Sequence, residues 1–399
     1  MMREPGARPG DRGGGLRLAR WYAASATLNI PQAAGPVAFS LVALGLTGDP
    51  GGGAAIMVAM TLAQVLGAVP LTRLGASLPT ATMLRWLVGL RTLALVGLAV
   101  LAARGAAVPW LVGVAALAGS VNGAAFGQLR ALLNALTPEG RLPRALGIAA
   151  TLNEVAFVLA PVLASGLGAV SPVLAVLVPA LLGAVPALVV PGSDRGEPPP
   201  RAAGPVLSRP VLLWLGCAAA SGAAVAAVEI GAVALALHFG YRPALAILFT
   251  VPLCLASVAG GVWVSVRNRA AAPRTVALQL AAMALGSALV AAQLSAAATV
   301  VGAVVVGAVL APLATHYSLA LDRLAPPDRR AEAFALLRTA NAAGLILAGL
   351  ALTLCPLTVA LRAVATLMAA AALTVALASA FPSAPPRPRL TRTADPEAP

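Results

Sequence analysis

Apolar residues in this chain do not alternate with polar ones; they run on. Twelve stretches, 21–46, 54–72, 84–103, 107–129, 145–168, 170–190, 210–237, 243–266, 275–296, 298–321, 332–354 and 357–381, are built mainly from Ala, Val, Leu and Gly, and the charged residues gather between them. A bilayer core of ~30 Å takes about 20 apolar residues at 1.5 Å rise each, so most stretches are long enough to cross it. With 60% hydrophobic residues and 10% charged, the pattern predicts an all-α membrane protein of twelve transmembrane helices. The longest polar break, 191–209, contains Pro198, Pro199 and Pro200, which cannot continue a helix. It reads as a linker between two six-helix halves, 21–190 and 210–381, with tails at 1–20 and 382–399.

Charge orients the bundle. All 27 basic residues are arginine, and 23 of them fall on one side of the barrier, in the first segment, the alternate loops and the tail. Only Arg104, Arg242 and Arg362 lie on the other side, with Arg91 inside span 3. Basic loops stay cytoplasmic, so both termini are expected in the cytoplasm. The net charge of +14 would suggest nucleic acid in a soluble protein; spread over loops that face anionic lipid, it implies the bilayer and no nucleic-acid partner. The five tryptophans, Trp21, Trp86, Trp110, Trp214 and Trp263, are expected at the headgroups. The absence of lysine beside heavy Ala, Arg, Gly and Pro usage suggests a GC-rich bacterial genome, and hence the plasma membrane.

The halves repeat. At an offset of 188 residues Pro138 meets Pro326, Arg141 meets Arg329, Thr151 meets Thr339 and Asn153 meets Asn341. Duplicated six-helix halves are an architecture of secondary transporters, with the substrate path between them. Catalysis finds little to work with. A phosphate-binding loop and a Schiff base both need the missing lysine, and His238 and His316 are too far apart in sequence to suggest zinc. No cofactor or metal is expected.

The chain resembles the major facilitator superfamily. In span 5, Glu154 to Ser165, with Pro161 among Ala156, Ala160 and Ala164, is similar to that family's exporter motif g-x-x-x-G-P-x-x-G-G. Leu321 to Phe334 and the stretch around Glu229 are similar to actinobacterial members taken to be exporters. Where the span 2–3 loop of the family reads G-x-x-x-D-R-x-G-R-R, this chain has Thr72, Arg73, Leu74 and Gly75 and lacks the aspartate. The arginine of proton-coupled drug exporters in span 4 is absent as well. The resemblance implies a monomer, alternating access, and a gate or loop network of Arg73, Gly75, Asp322, Arg323, Arg329, Arg330 and Glu332, with a merely solvated face as the alternative for these charges.

A carboxylate at bilayer depth costs at least ~2.5–3.5 kcal/mol on insertion scales, so Glu154 and Glu229 are the candidates for proton coupling, with a structural hydrogen-bonded acid as the alternative. Asn29, Gln32, Gln64, Asn122, Asn153 and Asn341 are candidate cavity ligands, with helix-to-helix bonding as the alternative. Arg91 and Arg338 enter spans 3 and 11 by about two turns and are expected to snorkel to the headgroups. That leaves a cavity of small apolar residues with little fixed charge, suited to a hydrophobic or amphiphilic substrate exported against protons. A facilitator or importer, and a non-transporting membrane partner or sensor, remain the alternatives.

Overall fold

The computed structural model describes residues 9–49, 51–191 and 206–380. The linker stretch 192–205, the first eight residues and the tail from 381 lie outside the described residues. Those described are all-helical and contain twelve helices long and apolar enough to cross a membrane. Nine helices form the first six spans: α1 (Pro9–Leu28) with α2 (Ile30–Thr47), α3 (Gly51–Leu74), α4 (Thr80–Ala103), α5 (Val108–Ser120) with α6 (Asn122–Leu136), α7 (Leu142–Val170), and α8 (Pro172–Leu182) with α9 (Val185–Val189). The remaining spans are α10 (Arg209–His238), α11 (Ile247–Arg267), α12 (Pro273–Ala292), α13 (Ala296–Leu324), α14 (Arg330–Leu354) and α15 (Leu357–Ala380).

Burial follows the two sets of spans. One core joins Val211, Phe249, Leu280, Phe334 and Met368 from α10–α15. Two further cores, around Trp21 and Leu84 and around Phe39 and Leu95, belong mainly to α1–α9. The extensive contacts between the sets are those of α7 with α11 and α13, and of α14 with α3 and α6. Many of them lie toward the arginine-rich face, where small residues permit close approach. A methyl on Gly127 would overlap the Ala331 carbonyl, and one on Gly261 would overlap the Thr151 hydroxyl.

Spans 1, 4 and 6 are broken, at Asn29, Val121 and Gly183–Ala184. Pro31 at the start of α2 lacks an N–H and so interrupts the first ladder. Trp21 departs from expectation. Helix α1 starts well before it, so the ring lies inside the bundle, 1% exposed, and donates Nε1–H to the Leu129 carbonyl at 2.7 Å. Trp86 and Trp110, at 71% and 69% exposed, do face outward.

Candidate functional site

Each helix break frees a carbonyl that water cannot reach at bilayer depth, and an unsatisfied group there costs several kcal/mol. Arg91 satisfies carbonyls at two of the breaks and reaches the third through the Asn122 side chain. Its Nη1 donates to the Leu28 carbonyl at 2.7 Å and to Asn122 Oδ1 at 2.9 Å, and its Nη2 donates to the Gly183 carbonyl at 2.6 Å. Three interrupted spans thus converge on one guanidinium, 1% exposed. Snorkelling is therefore overturned for Arg91. Helix α4 begins at Thr80, earlier than expected, which puts Arg91 eleven residues and about 16 Å into the span, too deep to reach a headgroup.

From Asn122 the network spreads. Its Nδ2 donates to Gln64 Oε1 at 2.8 Å and, in a short contact, to Gln32 Oε1. Asn29 Nδ2 donates to Asn153 Oδ1 at 2.7 Å. Arg338, reaching in from α14, donates Nη2 to Gln32 Oε1 at 3.1 Å and weakly to Asn29 Oδ1 at 3.4 Å. Its guanidinium also lies 5.5 Å from the Phe126 ring centroid. Arg338 therefore turns to the bundle centre rather than outward, and the centre carries fixed positive charge where an almost uncharged lining was expected. Five of the six amide candidates belong to this cluster. The sixth, Asn341, packs its backbone against Gly222 of α10, and its side chain makes no bond to the cluster among the described residues.

The two acids form a second group. Glu154 follows Asn153 on α7 but interacts electrostatically with Glu229 of α10 and lies beside Ser257 of α11. The buried Ser257 hydroxyl has no geometric hydrogen-bond partner among the described residues, so Glu154 is close to it without a well-formed bond. Pro161, one helical stretch further along α7, stands between Ala160 and Ala164, which pack into the core with α2 and α8.

The arginine-rich face is latched. Glu332 at the start of α14 accepts Arg73 Nε and Nη2 at 3.0 and 2.7 Å on one oxygen, and Arg329 Nε and Nη2 at 3.0 and 2.8 Å on the other. Glu332 is 4% exposed, and doubly forked carboxylates of this kind are among the stronger ion pairs. Asp322 holds Arg330 at 2.9 Å and accepts a short bond from Asn134. Gly75 closes the turn after α3 against Met83, donating its N–H to the Leu71 carbonyl at 3.1 Å. Arg323 has no ion pair among the described residues; it lines a separate cavity of about 230 Å³ with Trp214 and His316.

Sequence reasoning missed Asn268, Arg130, Ser318 and Asn134. Asn268 ends α11 in the left-handed conformation, accepts the Arg144 backbone N–H and donates to the Gly140 carbonyl, each at 3.0 Å. An asparagine closing a helix between two arginines was the available signal. Arg130 donates to Ser318 at 2.8 Å, and this pair, like Asn134 with Asp322, is 188 residues apart. Residues bonded to their own repeat equivalents mark a local two-fold axis.

Twelve apolar spans around a buried polar cluster, with one face closed by ion pairs, make the architecture of a membrane carrier. The chain belongs to the Major Facilitator Superfamily, whose family model matches residues 23–349. It is a transporter, not an enzyme. Solved structures of the same fold include a bacterial homologue of the iron transporter ferroportin in an outward-facing state with soaked iron, 17% identical over 91% of this chain and 97% of that one, TM-score 0.71. The human organic anion transporter MFSD10 (TETRAN) is 14% identical over 92% and 100%, TM-score 0.66. The transporter FucP in the outward conformation is 12% identical over 92% and 98%, TM-score 0.69. No curated protein matches the chain in sequence.

Proposed function

We propose that this transporter exports a hydrophobic or amphiphilic small molecule from a bacterial cell by alternating access, in exchange for protons. It works as a monomer in the plasma membrane, its two six-helix halves, 21–190 and 210–381, rocking about the centre with both termini in the cytoplasm. The reading is supported by two carboxylates inside the spans, Glu154 of α7 and Glu229 of α10, near enough for Glu154 to feel the charge of Glu229, where a carboxylate needs a purpose. In the state described the arginine-rich face is latched through Glu332 and Asp322, so the acids are reached from the opposite side and take up protons there. When the latch opens and the far side closes, the protons leave to the cytoplasm and substrate enters. The surrounding Ala, Val and Leu walls accept an apolar body.

The test is flux in proteoliposomes under an imposed pH gradient, with lipophilic dyes as cargo. Wild type is expected to move dye with the gradient. Glu154→Gln and Glu229→Gln should each lower gradient-driven flux about a hundredfold, the low end of what a positioned proton-transfer group contributes. Dye exchange without a gradient should persist in both. Undiminished pH-driven flux in the double variant would overturn the reading.

A further inference from the structure

Arg91 and Arg338 both bring charge to the centre, but they spend it differently. Arg91 is enclosed and uses both terminal nitrogens on the oxygens of the broken spans. Arg338 uses one terminal nitrogen, on two neutral amide oxygens at 3.1 and 3.4 Å, and its other terminal nitrogen makes no hydrogen bond among the described residues; the buried Nε of each arginine lacks a partner. No carboxylate stands at ion-pair distance from it among the described residues. Glu154 is only one residue from Asn153 of the cluster, yet its electrostatic partners are on α10 and α11. Helices α2 and α6 also begin within the cluster, and neither has a side-chain cap, so the positive ends of two helices add to the two guanidiniums. A buried cation without a counter-charge is costly; the carbonyls of the broken spans offset that cost for Arg91, whereas Arg338 has only its two long amide contacts.

We propose that Arg338 is the anchor for an anionic group on the transported molecule, so that the cargo is an organic anion with a carboxylate or similar single-charged head. The head takes the unspent donors of Arg338 in place of the amide oxygens of Gln32 and Asn29. The apolar body lies beside Phe126 and the aliphatic walls. This rests on the transport reading for what is carried, but not on proton coupling, because binding needs no gradient.

The experiment is equilibrium binding of radiolabelled 4-phenylbutyrate to the purified full chain, with 4-phenylbutyramide and 4-phenylbutylamine as size-matched competitors. The carboxylate should compete at about tenfold lower concentration than the amide, and the amine should be weakest, as charge-assisted pairing requires. Arg338→Gln should abolish that preference, and Arg338→Lys should keep part of it while losing the fork. The melting temperature of each ligand-free variant shows whether it is folded. Equal binding of carboxylate and amide by wild type, no binding of any of the three, or a preference that survives in Arg338→Gln would overturn the proposal. So would displacement by chloride as complete as by the carboxylate, which would leave an adventitious ion only. The wild-type comparison decides the matter even if a variant fails to fold. Loss of anion preference with intact pH-driven dye flux would sink this inference alone; the reverse pattern would sink proton coupling alone.

Discussion

Span 4 and span 10 are matched in register, 108–136 and 296–324, and differ in one respect that organises the molecule. Span 10 is a single helix, α13, whereas span 4 is interrupted at Val121 and restarts at Asn122 as α6. The residue equivalent to Asn122 is Leu310. At their arginine-rich ends the two spans touch through equivalent residues, Arg130 with Ser318 and Asn134 with Asp322. The duplicated scaffold has thus kept a shared seam at one end, while its middle has diverged. One copy became the polar centre and the other stayed a plain strut. Equivalent residues meet at the seam, and unlike residues build the polar centre.

Substitutions that erase the asymmetry should hurt most. Arg91→Leu strands the Leu28 and Gly183 carbonyls and one side of Asn122, a loss of about 3–5 kcal/mol or more, as for other broken buried charge networks. Fluorescence-detected gel filtration should show little or no monodisperse protein. Asn122→Leu makes span 4 resemble span 10 and removes the bonds to Gln32, Gln64 and Arg91. A fall of about 1–3 kcal/mol is expected, read as a lowered melting temperature.

Substitutions at the seam should shift conformation more than stability. Gly127→Leu drives a side chain into the Ala331 carbonyl and should wedge the arginine-rich face open. A cysteine placed at the buried position of Ala335 should then react with a maleimide about tenfold faster, equivalent to ~1.4 kcal/mol of population shift. Asn134→Ala is the mildest change, because Asp322 keeps Arg330 at 2.9 Å. It should alter stability by about 0.5–1.5 kcal/mol and labelling only slightly.

The spans were legible because lipid enforces a composition over some twenty residues, and no local detail overrides it. The breaks were not. A single asparagine or valine interruption leaves the average apolarity of a span unchanged, and Pro31 signals a kink without saying what will receive the freed carbonyl. Asn29 and Gln32 stood out as polar groups within a span, but their partners Asn153 and Arg338 lie 124 and 306 residues away. Arg91 and Arg338 were misread for the same reason. Whether an arginine snorkels or turns inward depends on which oxygens other spans present at its depth. Those oxygens, at Leu28, Gly183 and Gln32, appear only when the bundle is assembled. The latch was half legible: Arg73, Arg329 and Glu332 stand in a recognisable loop pattern, but the missing aspartate gave no hint that Arg73 would cross to α14.

In the proposed cycle the latched arginine-rich face is one of two states of a working carrier. Spin labels at the exposed positions of Glu139 and Arg269, one on each side of the seam, report it directly through pulsed-EPR distances in lipid nanodiscs. A short distance matching the latched state, joined by a longer one that grows in Arg73→Ala and dominates in Gly127→Leu, is the expected result. One unchanged distance in all three proteins would contradict it.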